Sequence, residues 1–111
     1  MMYYIYIVEC KGDKLYTGIT TDYKRRFLEH KQKNKKSAKF TKSFDVKRIV
    51  ALFKTEGRSL ASKLECRIKQ LSKEEKLNLI RDNKYFNIYF DGVIKTGFYK
   101  RIKRYKMEVK V

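Results

Sequence analysis

Five side chains able to handle a phosphate and a proton are spread over the first 65 residues: Tyr6, Tyr16, Arg26, His30 and Glu65. Tyr6 and Tyr16 are ten residues apart, and a hairpin can place them side by side on one face. Arg26 follows ten residues later. His30, the single histidine, stands four beyond Arg26, so both share one face of any helix that spans them. Such a set suits phosphodiester cleavage. The guanidinium offers a planar fork of fixed positive charge to the phosphate. Water attack needs a base, and a phenol with a reference pKa of about 10 serves only where cations or metal-bound water ease the proton transfer. One carboxylate completed by waters and substrate oxygens is a usual arrangement for magnesium.

Each of these residues also has a plainer use. Aromatics in an amphipathic strand usually pack in a core. A helix arginine is usually a solvated charge, and Glu65 has Lys69 at i+4, a surface pair contributing about 0.3–0.5 kcal/mol. Gly18 could simply mark a bulge or strand end. The joint arrangement carries the reading, not any one member.

The elements that must position the set are legible in outline. Tyr3 to Cys10 alternates aromatic and aliphatic residues and is β-branched at Ile5, Ile7 and Val8, which predicts a strand. Lys11 to Lys14 reads as a turn with Gly12 available for positive φ, and residues 3–19 as a β-hairpin. Asp22 or Thr21 can cap a helix over Tyr23–Gln32 that carries Arg26 and His30. Residues 31–43 are dense in lysine and read as an exposed loop. Val46–Thr55 is the third strand. Glu56–Ser59 is a break, with Ser59 as a candidate N-cap. Leu60, Leu64, Ile68 and Leu71 then form one helical stripe, with Glu65 beside it. Ser72 and Glu75 have capping-box spacing and restart a helix that ends near Asn83.

These elements predict an α+β fold: a small antiparallel sheet of three strands, begun by the N-terminal hairpin and flanked by helices, in the order β-β-α-β-α-α. Residues 1–83 are expected as one domain and residues 84–111 as a basic C-terminal extension. That extension holds eight basic and two acidic residues, and its Asp91-Gly92 between two β-prone runs predicts a hairpin or arm.

The net charge of +17 over 111 residues, from 29 Lys+Arg against 12 Asp+Glu, asks for an anionic partner. Nucleic acid is the expected one, because phosphate contacts release counterions. Arg25 and the lysines at 31, 33, 35, 36, 39 and 42 are placed to track a backbone, although a solvated loop would look the same. No apolar run is long enough to span a bilayer, and no segment resembles a signal peptide. Cys10 and Cys66 form no metal-ligand spacing with each other or with His30 and read as small core residues of a reduced, cytoplasmic protein.

The motifs YIYIVEC, LYTGIT, RRFLEHK, AKFTKS and LECRIKQLSKEEKLNLI, in this order, resemble the GIY-YIG nuclease domain over roughly residues 2–82. The likeness is closest to a short, single-domain bacterial subgroup. Tyr4 stands where the family name has glycine, as is common in that subgroup. The resemblance implies a divalent-metal-dependent DNA endonuclease acting by direct water attack, with Mg2+ or Mn2+ held by Glu65. Tyr6 and Tyr16 would position or deprotonate the water, Arg26 would stabilise the phosphate, and His30 would hydrogen-bond a tyrosine or the phosphate. Gly18, Arg25, Lys31, Lys35, Lys36, Lys39, Lys42 and Asn78 are the expected nucleic-acid contacts, Asn78 matching a late asparagine of the family. The expected partner is DNA, branched or damaged, as in repair or recombination, with no membrane and no obligate protein partner. The alternative is a nucleic-acid-binding module on the same fold that does not cut.

Overall fold

In the computed structural model, residues 1–32 and 46–103 are described. β1 (Met2–Cys10) and β2 (Lys14–Thr20) form the N-terminal hairpin, with Tyr6 opposite Gly18 and Val8 opposite Tyr16. Gly12 and Asp13 both take positive φ, 80° and 59°, and reverse the chain between Cys10 and Lys14. Glycine adopts this region without steric cost, and aspartate tolerates it better than most residues.

α1 (Tyr23–Gln32) follows at once. Asp22 caps it by accepting the Arg25 backbone N–H at 3.1 Å. β3 (Val46–Glu56) returns along the other side of β1, so β1 is central. α2 (Arg58–Gln70) starts directly after Gly57, whose φ of 92° turns the chain off the sheet. Ser59 therefore lies inside the helix and is not its cap. α3 (Lys73–Arg81) carries the expected capping box: Ser72 Oγ accepts from Glu75 N at 3.1 Å, and Glu75 Oε1 accepts from Ser72 N at 2.8 Å.

The run after Asn83 differs from the expected hairpin. Residues Lys84–Phe90 form a helix, α4, and Asp91-Gly92 makes the turn after it. A short 3-10 turn (Thr96–Phe98) then leads into β4 (Tyr99–Arg101), which pairs antiparallel with β3. Among the described residues the sheet thus has four strands in the order β2-β1-β3-β4, one more than expected. The helical period explains the difference. Tyr85, Phe86, Tyr89 and Phe90 recur at i, i+1, i+4 and i+5, which puts Phe86 and Phe90 in the core and leaves Ile88 63% exposed. A strand would have put 86, 88 and 90 on one face.

Strand alternation sorts the core into two layers. Ile5, Ile7, Ala51 and Phe53 face α2, α3 and α4, meeting Ala61, Leu64, Ile68, Leu79, Phe86, Phe90 and the β4 residue Tyr99. Tyr6, Val8, Cys10 and Leu52 face the other way, against Phe27 of α1. The larger layer is the hydrophobic anchor. The thinner one carries Tyr6, with Tyr16 packed against it.

Candidate active site

Tyr6 points from the central strand toward α1 and is 3% exposed. Its hydroxyl and His30 Nε2 share a hydrogen bond of 3.0 Å. Room for the ring exists because residue 18 on β2 has no side chain: a Cβ there would sit 2.4 Å from the Tyr6 hydroxyl and 2.6 Å from Cζ. Gly18 is therefore a packing requirement of the phenol above it. Tyr16, two residues earlier on the same face of β2, completes a ring cluster. Its centroid is 6.4 Å from that of Tyr6 and 5.7 Å from that of His30, while Tyr6 and His30 lie 5.9 Å apart.

α1 brings Arg26 and His30 to this cluster together, as the i, i+4 spacing predicts. Arg26 hydrogen-bonds the Tyr6 hydroxyl and pairs with Glu29 through Nη1 and Oε1 at 3.4 Å. Glu29, three residues on, was not among the residues singled out in the sequence, although the Arg–Glu spacing on one helix was there to read. Arg26 is thus held between a carboxylate and a phenol and is only partly exposed.

Burial sets the ionisation of the cluster. It pushes the Tyr6 phenol well above its ordinary pKa, the Tyr16 charge adds to the rise, and Arg26 opposes it. Tyr16 is raised by burial too, again with Arg26 opposing and Glu65 adding. His30 is fully buried, and burial, reinforced by the Arg26 cation, pulls it down to about 4. At neutral pH the two phenols and the imidazole are uncharged.

Glu65 belongs to α2, on the larger core layer. It reaches the cluster through its charge, which raises both phenols, rather than by a direct contact among the described residues. Its Oε2 lies 3.6 Å from Lys69 Nζ, the ordinary helix pair. No three His, Cys, Asp or Glu side chains gather to cage a metal among the described residues. A single carboxylate, here paired with Lys69, could give a hard divalent cation one protein ligand, with waters supplying the others.

The remaining expected contacts are dispersed. Arg25 points to solvent and pairs loosely with Asp22 at 3.9 Å. Lys31 donates to the Val46 carbonyl at 2.9 Å, tying α1 to β3. Asn78 donates to the Tyr89 hydroxyl at 3.1 Å, linking α3 to α4. Lys35, Lys36, Lys39 and Lys42 lie outside the described residues. Cys10 is buried, as expected. Cys66 is exposed, because it sits on the outer side of the Leu64–Ile68 stripe. No helix among the described residues is long and apolar enough to cross a membrane.

Known proteins resemble this chain over most of its length. The family model for the GIY-YIG catalytic domain matches residues 2–78. A UPF0213 protein of Fusobacterium nucleatum is 41% identical over 80 residues, covering 72% of this chain and 78% of that protein. One from Cupriavidus necator is 45% identical over 74 residues, covering 67% and 78%. The solution NMR structure of a UPF0213 protein from Bacillus halodurans shares 33% identity, with a TM-score of 0.43, and covers 85% of this chain and all of that one.

Proposed function

We propose that this chain, which belongs to the GIY-YIG catalytic-domain family, is a DNA endonuclease that hydrolyses phosphodiester bonds by direct attack of water. The observation that carries the reading is the joint placement of Tyr6, Tyr16, Arg26 and His30 in one ring cluster, with the Tyr6–His30 hydrogen bond at 3.0 Å. A buried imidazole and an opposed glycine spent on orienting one phenol are hard to account for by packing alone.

The roles follow from access and charge. Arg26 is the fixed cation and takes the scissile phosphate, exchanging its Glu29 partner for substrate oxygens. Tyr6 has its hydroxyl held by His30 and Arg26, so it orients rather than diffuses. Tyr16 is only half-buried and is the phenol that solvent reaches, which makes it the better candidate to position the attacking water and accept its proton. Because burial raises both phenols, a tyrosine works as base only when substrate binding gathers positive charge around it. Glu65 is the residue that would hold a divalent cation, Mg2+ or Mn2+, whose contribution is charge neutralisation beside the scissile phosphate. Branched or damaged DNA, met in repair or recombination in the cytoplasm, is the substrate class in this reading. The catalytic set lies within residues 1–83, and residues 84–111 are its basic extension, whose α4 and β4 complete the core and the sheet.

The test is cleavage of labelled duplex, nicked, flapped, branched and single-stranded DNA, and RNA, by wild type and Glu65→Ala, with magnesium, manganese or chelator. Metal-dependent cutting lost in the variant, with binding kept, supports the reading. A variant that cuts at the wild-type rate removes Glu65 from the site. The second reading, a nucleic-acid-binding module that does not cut, draws support from the Glu65–Lys69 and Arg26–Glu29 pairs, in which both charged members already have partners. Binding without cutting on every substrate would select it.

A further inference from the structure

On the flank of α2 away from Glu65 lies a second concave site, a cleft of about 690 Å³ between this helix and the turn after α4. Helix geometry separates it from the ring cluster: Glu65 and Arg67 are two positions apart and so point roughly 160° away from each other around the axis. Leu60, Val93, Ile94 and Tyr99 supply the apolar surface. Lys63, Arg67 and Lys95 supply three cations, and among the described residues no carboxylate lines the cleft. Asp91, beside Gly92, stands outside the lining. Arg67 Nη1 donates to Gln70 Oε1 at 3.4 Å, which steadies the guanidinium along the rim.

Two exposed apolar side chains stand here: Val93, in the lining, is 47% exposed, and Phe98, just beyond it on the same segment, is 59% exposed. Lys95 Nζ stands over the Phe98 ring, 5.8 Å from its centre. Cations beside an exposed aromatic face and an apolar floor are the combination that binds single strands, where bases stack on rings and phosphates meet lysine and arginine. Duplex DNA keeps its bases inside and has no use for such a floor.

We propose that this cleft binds single-stranded nucleic acid, seating an unstacked base on Leu60, Val93, Ile94 and the nearby Phe98 ring, with the adjoining phosphates on Lys63, Arg67 and Lys95. The inference deepens the nuclease reading, because it rests on nucleic acid being the ligand. It gives the enzyme a site for an unpaired strand across α2 from Glu65, about one helix width, roughly 10–12 Å, from that carboxylate. The preferred substrate class is then DNA with a single-stranded portion, such as a flap or a splayed branch.

The native thiol in the cleft provides the test. Cys66 is exposed and lines it, whereas Cys10 is buried, so iodoacetamide reports on one position. Saturating oligothymidylate should slow Cys66 alkylation at least tenfold in the full chain, and a blunt duplex of equal length should not. The triple variant Lys63→Gln, Arg67→Gln, Lys95→Gln changes only exposed residues. It should abolish the protection and lower the salt slope of oligothymidylate binding by about 2, from about 0.7 per phosphate contact on single strands. Phe98→Ala should weaken that binding about tenfold, within the usual range for one stacked base. The proposal is overturned if the oligonucleotide fails to bind, if it binds without protecting Cys66, if duplex alone protects, if polyglutamate protects in its place, or if the triple variant is protected as well as wild type. Cutting with Cys66 unprotected would remove the cleft and leave the nuclease. Protection with no cutting on any substrate would do the reverse.

Discussion

Gly18→Ala tests the geometry of the site most directly. The new methyl carbon would lie 2.4 Å from the Tyr6 hydroxyl and 2.6 Å from Cζ, separations that real Cβ atoms do not adopt. The backbone at residue 18 is ordinary strand, so the strain comes from Tyr6 alone. Tyr6 is buried between β2, β3 and α1 and cannot move without giving up its bond to His30. Overpacking of this kind costs about 1–3 kcal/mol. A buried His30 nitrogen left without its partner adds about 1–3 kcal/mol. Partial relaxation will absorb some of both, so the expected loss is about 2–4 kcal/mol, or a Tm lower by roughly 10–25 °C for a domain of this size. Displacement of the phenol by about 1 Å should also reduce the proposed cleavage about a hundredfold, with DNA affinity little changed. The decisive comparison is the same substitution in a Tyr6→Ala background. With the ring gone, alanine at residue 18 should be neutral or stabilising by up to about 1 kcal/mol, since glycine is costly inside a strand. Urea unfolding of the four proteins measures the cycle. Equal costs in both backgrounds would refute the claim that Gly18 exists to make room for Tyr6.

Further expectations follow from neighbouring contacts. His30 has a folded-state pKa of about 4 against about 6.5 unfolded, so the unfolded chain binds the extra proton first as pH falls. Its contribution to stability is complete above pH 6.5 and declines toward pH 4 by about 3 kcal/mol. In His30→Gln the unfolding free energy should fall less steeply over that window, and an unchanged slope would argue against a buried neutral imidazole. Arg101→Leu frees the Leu79 and Ile80 carbonyls at the end of α3, now bonded at 2.6 and 2.8 Å, and should cost about 1–3 kcal/mol by urea unfolding. Phe90→Ala should cost about 3–5 kcal/mol while Ile88→Ala stays within about 0.5 kcal/mol, and the reverse order would favour a strand over α4.

The described elements of the first 83 residues were legible in the sequence because each carried its own signal, while the loop expected over 31–43 lies, from residue 33 on, outside the described residues. Strand alternation placed Tyr6 and Ile5 on opposite faces. The i, i+4 spacing joined Arg26 to His30. The Ser72–Glu75 box marked the start of α3. What it concealed was conflict between local signals. In Tyr85–Phe90 the residue types favour a strand while their spacing favours a helix, and packing of Phe86 and Phe90 under the sheet decided for the helix. β4 was hidden for another reason. Its three residues are mostly charged, and only pairing with β3 makes them a strand. Cys66 read as core because cysteine usually is, yet its position on α2 faces away from the buried stripe. The cleft cations were invisible as a group, since Lys63 and Arg67 meet Lys95 only through the fold.

The contrast between the chain and its candidate site bears on how substrate would be chosen. The chain carries +17, yet the cluster rests close to neutral: the phenols and imidazole are uncharged, Arg26 is matched by Glu29, and Glu65 by Lys69. The general positive field draws any polyanion to the surface and discriminates little. Beside the preference for an unpaired strand proposed for the cleft, discrimination at the reacting centre comes from what a phosphate gains on reaching Arg26, and that gain is net of the Glu29 pair it displaces. An ill-fitting strand would surrender the pair without full compensation. On this reasoning Glu29→Gln should tighten binding of all DNA while reducing the ratio between preferred and non-preferred substrates, because the competing partner is removed for both. Competition binding across the substrate panel measures that ratio. A rise in affinity confined to the preferred substrate would mean that Glu29 orients Arg26 rather than competing for it.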